Sequence, residues 1–298
     1  MIRSFIILLM SLPGIYNAQV YLDFSTGYGF PLGGKTFYER YDSGHESATT
    51  NKVQSYRQKN ISYGTGASQE ITIGLKHNDL ISTEIGLNYT SANQRIENVT
   101  GNYTDDMGWT TVQSVSDINT KLHTRMFSVN PGIRFETKMG GSQFFLKMAA
   151  RVSLLTSLHR KYFVSSRDTY SSGNVYSWVY YNDRYYSGGM AIGGSIALGW
   201  TIPVSPKFGF RFQVFANALN WSPKKVKLTR YEVNGNDPTI DKEDDLLTTF
   251  YVNEFTENEI TGQGAGWVPN NDIKEAYPFS TYGFNIGLHF NLGTSNKR

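Results

Sequence analysis

Apolar and polar residues alternate with a period of two in eight stretches of the chain, the pattern of strands that meet an apolar environment on one face. The first, at about 20–30, sets Val20, Leu22, Phe24, Thr26 and Tyr28 against Asp23, Ser25, Gly27 and Gly29. The second, about 67–77, sets Ile71, Ile73 and Leu75 against Glu70, Thr72, Gly74 and Lys76. The third, about 80–92, sets Ile81, Ile85, Leu87 and Tyr89 against Ser82, Glu84, Gly86 and Asn88. The fourth, about 122–136, sets Phe127, Val129, Ile133 and Phe135 against Ser128, Asn130, Arg134 and Glu136. The fifth, about 143–157, sets Phe144, Leu146, Met148 and Leu154 against Lys147, Arg151 and Ser153. The sixth, about 189–202, sets Ile192, Ile196, Leu198 and Trp200 against Gly193, Ser195 and Gly199. The seventh, about 207–219, sets Phe208, Phe210, Phe212 and Val214 against Gly209, Arg211, Gln213 and Asn217. The eighth, about 280–292, sets Tyr282, Phe284, Ile286, Leu288 and Phe290 against Gly283, Asn285, Gly287 and His289.

The connections alternate in length. Three are tight and built of turn formers: His77-Asn78-Asp79, Lys138 to Ser142, and Pro203 to Pro206. Four are long, at about 31–66, 93–121, 158–188 and 220–279. Short turns at one end and long loops at the other describe an up-and-down antiparallel β-barrel of the outer membrane, with the long loops outside the cell. An even strand count then leaves both ends of the barrel in the periplasm. Aromatics support the same reading. Phe135, Phe144, Trp200, Phe208 and Phe290 fall at the tight-turn ends of their strands, while Tyr28, Tyr89, Phe127 and Tyr282 fall toward the other end. Phe127 and Phe135 are eight positions apart, about 20 Å of membrane normal for a tilted strand, close to the apolar band of about 25 Å. The predicted fold class is therefore all-β, a transmembrane antiparallel barrel of eight strands.

Alternation alone does not say which face is inside, so a soluble barrel is the competing reading. The face opposite the apolar one is mostly Gly, Ser, Ala and Asn with a few charges of both signs, which suits a narrow lumen better than a solvated exterior. A ten-strand alternative arises because Lys225 to Val233 and Leu246 to Phe255 are also β-like. The first carries Lys225 and Lys227 on one face and Arg230 and Glu232 on the other. A midplane Lys or Arg facing lipid costs about 2–4 kcal/mol, so these runs are predicted to stand in water above the membrane. The Tyr-rich stretch from Val175 to Tyr186 is read in the same way.

Composition agrees with a β chain: Gly 29, Tyr 20 and Phe 18 in 298 residues, with Pro only 9. A formal net charge of +3 gives no case for nucleic acid. The absence of Cys excludes disulfides, thiolate metal sites and thiol catalysis. The N-terminus begins Met1-Ile2-Arg3, continues through an apolar run from Phe5 to Leu12, breaks at Pro13-Gly14 and reaches Ala18 before Gln19. That order of charge, short apolar core and small residue predicts a cleaved signal peptide over residues 1–18. The barrel domain is then 19–298, exported to the cell outer membrane of a Gram-negative bacterium.

With the signal segment, the eight runs and the closing strand Tyr282 to Leu292 in place, the chain resembles small outer-membrane barrel proteins of the outer-membrane protein A and X type. The resemblance is one of architecture over about 19–292. It implies the outer-membrane lipid, lipopolysaccharide and the barrel-assembly machinery as partners, a monomer as the working form, and no cofactor. Such proteins often end on an aromatic, whereas here Gly293 to Arg298 follow the last strand and Phe290 is the candidate aromatic.

The inward charges of the eight strands are Asp23, Glu70, Lys76, Glu84, Arg134, Glu136, Lys147, Arg151 and Arg211. Charges taken out of water persist when paired, and eight strands enclose a space just wide enough for side chains. The expectation is a salt-bridged plug in which Arg134 and Arg151 each neutralise buried carboxylates. Candidate chemistry is thin. His123 and His159 lie at the height of the outer rim, with Asp105, Asp106 and Asp183 in loops, but no spacing ties them into an acid–base set. The run Asp237, Asp241, Glu243, Asp244, Asp245 lacks the Gly and spacing of a calcium loop. The function expected is display of extracellular loops for adhesion, ligand capture or envelope integrity, without catalysis. The alternatives are a small-solute or ion pore and an outer-membrane barrel enzyme.

Overall fold

A computed structural model describes residues 19–32, 35–36, 60–106, 111–235, 248–252, 271–273 and 276–293. The segment 1–18, His45 and the acidic run from Asp237 to Asp245 lie outside the described residues. The described chain contains ten strands of nine residues or more: β1 (Gln19–Pro31), β2 (Gly66–Lys76), β3 (Ile81–Asp106), β4 (Thr111–Met139), β5 (Ser142–Tyr170), β6 (Val175–Ser187), β7 (Ala191–Ser205), β8 (Phe208–Trp221), β9 (Lys225–Val233) and β10 (Thr281–Asn291). No helix occurs among these residues. Val, Ile, Thr and aromatic residues at alternate positions fit the pleated surface.

Eight of the ten close on themselves. β1 pairs with β2, β2 with β3, β3 with β4 and β4 with β5. β5 continues to β7, β7 to β8, β8 to β10, and β10 returns to β1 with Asp23 opposite His289. Every pairing is antiparallel, so the ring β1-β2-β3-β4-β5-β7-β8-β10 leaves no free edge along this stretch. The turns at His77–Leu80, Met139–Ser142 and Ser205–Phe208 all lie at one end.

The ring is polar inside and apolar outside. Asp23, Thr72, Glu84, Asn88, Asn130, Arg134, Lys147, Arg151, Arg211, Asn285 and His289 are buried, while their strand neighbours Ile73, Ile85, Leu87, Ile133, Met148, Ile196, Leu198, Val214, Phe284 and Ile286 are exposed. From the turn end to about the level of Tyr89, Phe127 and Tyr282, the outward positions of these eight strands carry no Asp, Glu, Lys or Arg.

At the far end three ring strands run on. β3, β4 and β5 continue paired beyond the ring, with Arg95 opposite Lys121 and Lys121 opposite Lys161. β6 pairs with this upper half of β5, and β9 with β6. Thr248–Val252 pairs with the start of β9. The result is a sheet projecting from one side of the ring. Much of what the sequence suggested as loops at 93–121 and 158–188 is thus strand, because polar and aromatic residues still alternate there. Lys225 to Val233 stays outside the ring, and the ten-strand alternative is not adopted.

One irregularity sets the faces of this sheet. Phe127 is opposite Leu155 and Ser128 opposite Ser153, so Leu154 is an extra residue on β5. Leu154 and Leu155 both point outward, Leu155 being 71% exposed. The bulge reverses the parity of everything after it. Thr156 and Leu158 therefore face inward, and the alternation read up to Leu154 does not extend past that residue.

Candidate functional site

Tight packing of inward side chains begins with glycine. A side chain at Gly74 would collide with the ring of Tyr21, and one at Gly199 with Phe145. Those two aromatics frame the charges. The guanidinium centre of Arg134 lies 4.2 Å from the centroid of Phe145 and 5.2 Å from that of Tyr21, and Arg211 lies 4.3 Å from Phe145 on its own account. Cations held over ring faces in this way are stabilised by the ring quadrupole.

Arg134 is fully enclosed, and three carboxylates converge on it. Its Nη1 donates to Asp23 Oδ2 at 3.1 Å and to Glu84 Oε1 at 3.4 Å, and its Nε lies 2.8 Å from Glu136 Oε1. Lys76 Nζ donates to the other oxygen of Glu136 at 3.2 Å. Lys147 Nζ bridges Glu70 Oε1 at 2.7 Å and Glu84 Oε2 at 3.0 Å. Arg211 donates to Asp23 and also to Gln213. Eight of the nine inward charges thus form one connected chain of ion pairs.

Arg151 is the exception, and it corrects the sequence expectation. Its Nε donates to Ser128 Oγ at 3.1 Å, and its Nη2 to Thr90 Oγ1 at 3.2 Å and to the side-chain oxygen of Asn88. No carboxylate lies within ion-pairing distance of it among the described residues. Four carboxylates face five cations inside the ring, and the surplus cation is spread over neutral acceptors instead.

Two members of this network were not singled out from the sequence. Tyr21 Oη donates to Glu84 Oε1 at 2.7 Å, and His289 Nδ1 is 2.6 Å from Asp23 Oδ1. Both occupy the inward parity of their strands, so strict alternation was the available signal. The lid was missed as well. Toward the projecting sheet, the inward face turns apolar at Leu122, Met126, Leu158, Leu219 and Trp221, and Tyr63, Tyr277 and Phe279 fold in over them. Phe279 N donates to Leu219 O at 2.8 Å, Tyr63 N to Pro278 O at 2.9 Å, and Trp221 Nε1 to Gly188 O at 2.9 Å. Its rings come from segments without β periodicity, which is why the pattern did not point to it. Between plug and lid remains a polar cavity of about 30 Å³, lined among others by Glu70, Asn88, Asn130, Lys147, Arg151 and Asn285. That is room for two or three water molecules.

The outward aromatics sit at two levels. Phe135, Phe144 and Trp200 are exposed near the turn end, with Phe208 packed 5.3 Å from Phe290. Tyr28, Tyr89 and Tyr282 are exposed toward the other end.

Among the described residues, His123 and His159 do not assemble an acid–base set. His123 faces His159 across β4 and β5. His123 is bonded to Asn93 and to Arg125, and the ring of His159 is 6.3 Å from that of Tyr185. Asp183 lies opposite Lys161 and is not hydrogen-bonded to either ring, while Asp105 and Asp106 fall at the end of β3, where side chains lie outside the described residues. The inner face of the projecting sheet holds a different small cluster. Ser114 Oγ donates to Asp168 Oδ1 at 2.5 Å and Trp178 Nε1 to Asp168 Oδ2 at 3.2 Å. Among the described residues no three His, Cys, Asp or Glu converge on a point that suits a metal ion. The chain matches no protein-family model and none of the curated proteins compared with it.

Proposed function

We propose that this protein is a bacterial outer-membrane β-barrel that does not conduct and does not catalyse, and that it serves to present the projecting sheet and its loops to the outside of the cell. The observation that carries the reading is the inversion of polarity around a closed ring. Apolar side chains cover the outside over a height near the 25 Å band of an outer-membrane barrel, while ion pairs fill the inside. In water this arrangement would leave a continuous apolar belt far larger than the patches soluble monomers expose. In lipid, closure satisfies the backbone and the belt meets acyl chains. The filled interior and its aromatic lid argue against the pore alternative, since a cavity of about 30 Å³ passes no solute. Among the described residues, His123 and His159 have no carboxylate partner and His289 is tied to Asp23 inside the plug, so they give the enzyme alternative no support.

Residues 1–18 serve as the export signal in this reading, the assembly machinery inserts the barrel, and lipopolysaccharide surrounds its outer rim. The test is made on protein purified from the outer-membrane fraction. It should start near Gln19, migrate faster unheated than boiled on a gel, and add no steps of conductance to a planar bilayer. Recovery as a freely soluble periplasmic protein defeats the membrane reading. Stable conductance steps defeat the sealed interior and favour the pore.

A further inference from the structure

We infer that the outward face of the projecting sheet, just above the apolar belt, is a binding surface for the phosphate groups of a lipid in the outer leaflet. The inference rests on the membrane reading above and adds a ligand to it.

The surface is built by register. On the outward face of β3, β4, β5, β6 and β9, three rows of neighbours cross the strands. The lowest runs from Arg125 through Ser157 and Ser187 to Lys225. The next runs from Asn93 through His123, His159 and Tyr185 to Lys227. The third runs from Arg95 through Lys121 and Lys161 to Asp183, with Arg230 beyond. Lys121, Arg125, Lys161 and Lys225 are exposed. Among the described residues, Lys121, Lys161 and Lys225 have no carboxylate within ion-pairing distance. Among the described residues, the acidic side chains on the same face are Asp117, Asp183 and Glu232, and Glu232 already accepts from Arg230.

Like charges directly opposite one another on neighbouring strands destabilise a sheet. Lys121 facing Lys161 is such a pair, with Asp183 opposite Lys161 on the side away from Lys121. A bound anion between them removes the repulsion. The height of the rows names the anion. Arg125 lies two residues beyond Phe127, which is opposite the exposed Leu155. The first cations therefore stand about 5 Å above the upper edge of the belt, the depth of the headgroup region. Among the described residues the arrangement is also one-sided. At the same level, the outward residues on β1, β2, β8 and β10 are Tyr28, Phe30, Ala67, Ala218, Asn220 and Tyr282, all uncharged. A general solubilising fringe would surround the ring. A patch confined to one side, with apolar wall directly beneath it, fits a ligand that has acyl chains below and phosphate above.

The full chain in detergent, mixed with phosphatidic acid or with phosphatidylcholine, is examined by mass spectrometry of the intact complex. The wild type should keep phosphatidic acid through detergent exchange and hold phosphatidylcholine far more weakly. Lys121→Gln/Arg125→Gln/Lys161→Gln/Lys225→Gln should lose on the order of several hundredfold in phosphatidic acid binding, as each of the four cations near an anionic surface contributes on the order of a fivefold gain. Lys138→Gln/Lys207→Gln, at the opposite end, should bind as the wild type does. Should the fourfold variant fail to fold, the pairs Lys121→Gln/Lys161→Gln and Arg125→Gln/Lys225→Gln are each expected to lose part of the binding. Equal retention of both lipids, or unchanged binding in the variants, overturns the inference. So does displacement by inorganic phosphate at equal concentration, which would mean a free-anion site. Heat-shifted migration of the same variants reports on the barrel itself, so a failure of lipid binding is distinguishable from a failure of the membrane reading.

Discussion

Arg134 and Arg151 sit on neighbouring strands, equally hidden, yet they do different work. Removing Arg134 leaves Asp23, Glu84 and Glu136 with too few cations in a dry interior. Breaking a buried ion pair from one side costs about 3–5 kcal/mol, so Arg134→Ala is expected to lower the unfolding midpoint in detergent severely. Arg151→Ala strands neutral acceptors at Asn88, Thr90 and Ser128, beside a cavity that water can fill. Its cost should be about 1–3 kcal/mol, that of unsatisfied neutral groups. The two midpoints, measured side by side in urea, check the assignment. If Arg151→Ala proves as damaging as Arg134→Ala, then Arg151 neutralises a carboxylate after all. Sequence pattern placed both residues on the inward face. It had no means of telling them apart, because partners such as Asp23 and Glu84 come from strands remote in the chain.

At the level of elements, the ring and the projecting sheet share strands and meet at the lid, where Tyr186 and Val226 pack in one cluster with Leu219, Trp221 and Tyr277, but the sheet beyond Lys161 and Asp183 adds nothing to that cluster. The pairing of β5 with β7 runs over Gln143 to Val152, and that of β5 with β6 begins only at Ser157. The bulge at Leu154 separates the two regimes. Replacing residues 162–182 with Asn-Gly should therefore join Lys161 to its partner Asp183 through a two-residue turn suited to antiparallel strands. The shortened protein is expected to keep its heat-shifted migration and nearly the wild-type midpoint. Loss of the unheated, fast-migrating form would show that the ring depends on the sheet above it. The eight runs were legible because one face of each is uniformly apolar. The projecting hairpin was harder to read, since both its faces mix polar and aromatic residues and no solvent contrast marks inside from outside.

For the whole molecule the question is orientation. The chain has no Cys, so single substitutions report without interference. Ser172→Cys, at the exposed tip between β5 and β6, should react with an impermeant maleimide on intact cells. Asn78→Cys, in the turn between β2 and β3, should react only after the outer membrane is opened. The reverse pattern would turn the protein upside down. What the sequence by itself determined is the class of structure: period two, eight times, with short turns at one end, leaves few topologies other than an up-and-down antiparallel sheet. It also determined the contents of each face, since parity alone assigns Glu70, Lys147 or Leu198. Closure, pairing and sealing were decided only by the tertiary structure. The ring closes because β1 meets β10 across most of the chain length, and no local pattern encodes that contact. Arg134 acquires three carboxylates because three strands, β1, β3 and β4, bring them to one level. The lid forms because Tyr63 and Phe279, from segments without periodicity, meet Trp221 over the polar interior. The basic rows exist because a single inserted residue, Leu154, resets which side chains of β5 face out. Each of these depends on the register between strands, which is settled by packing around the whole ring.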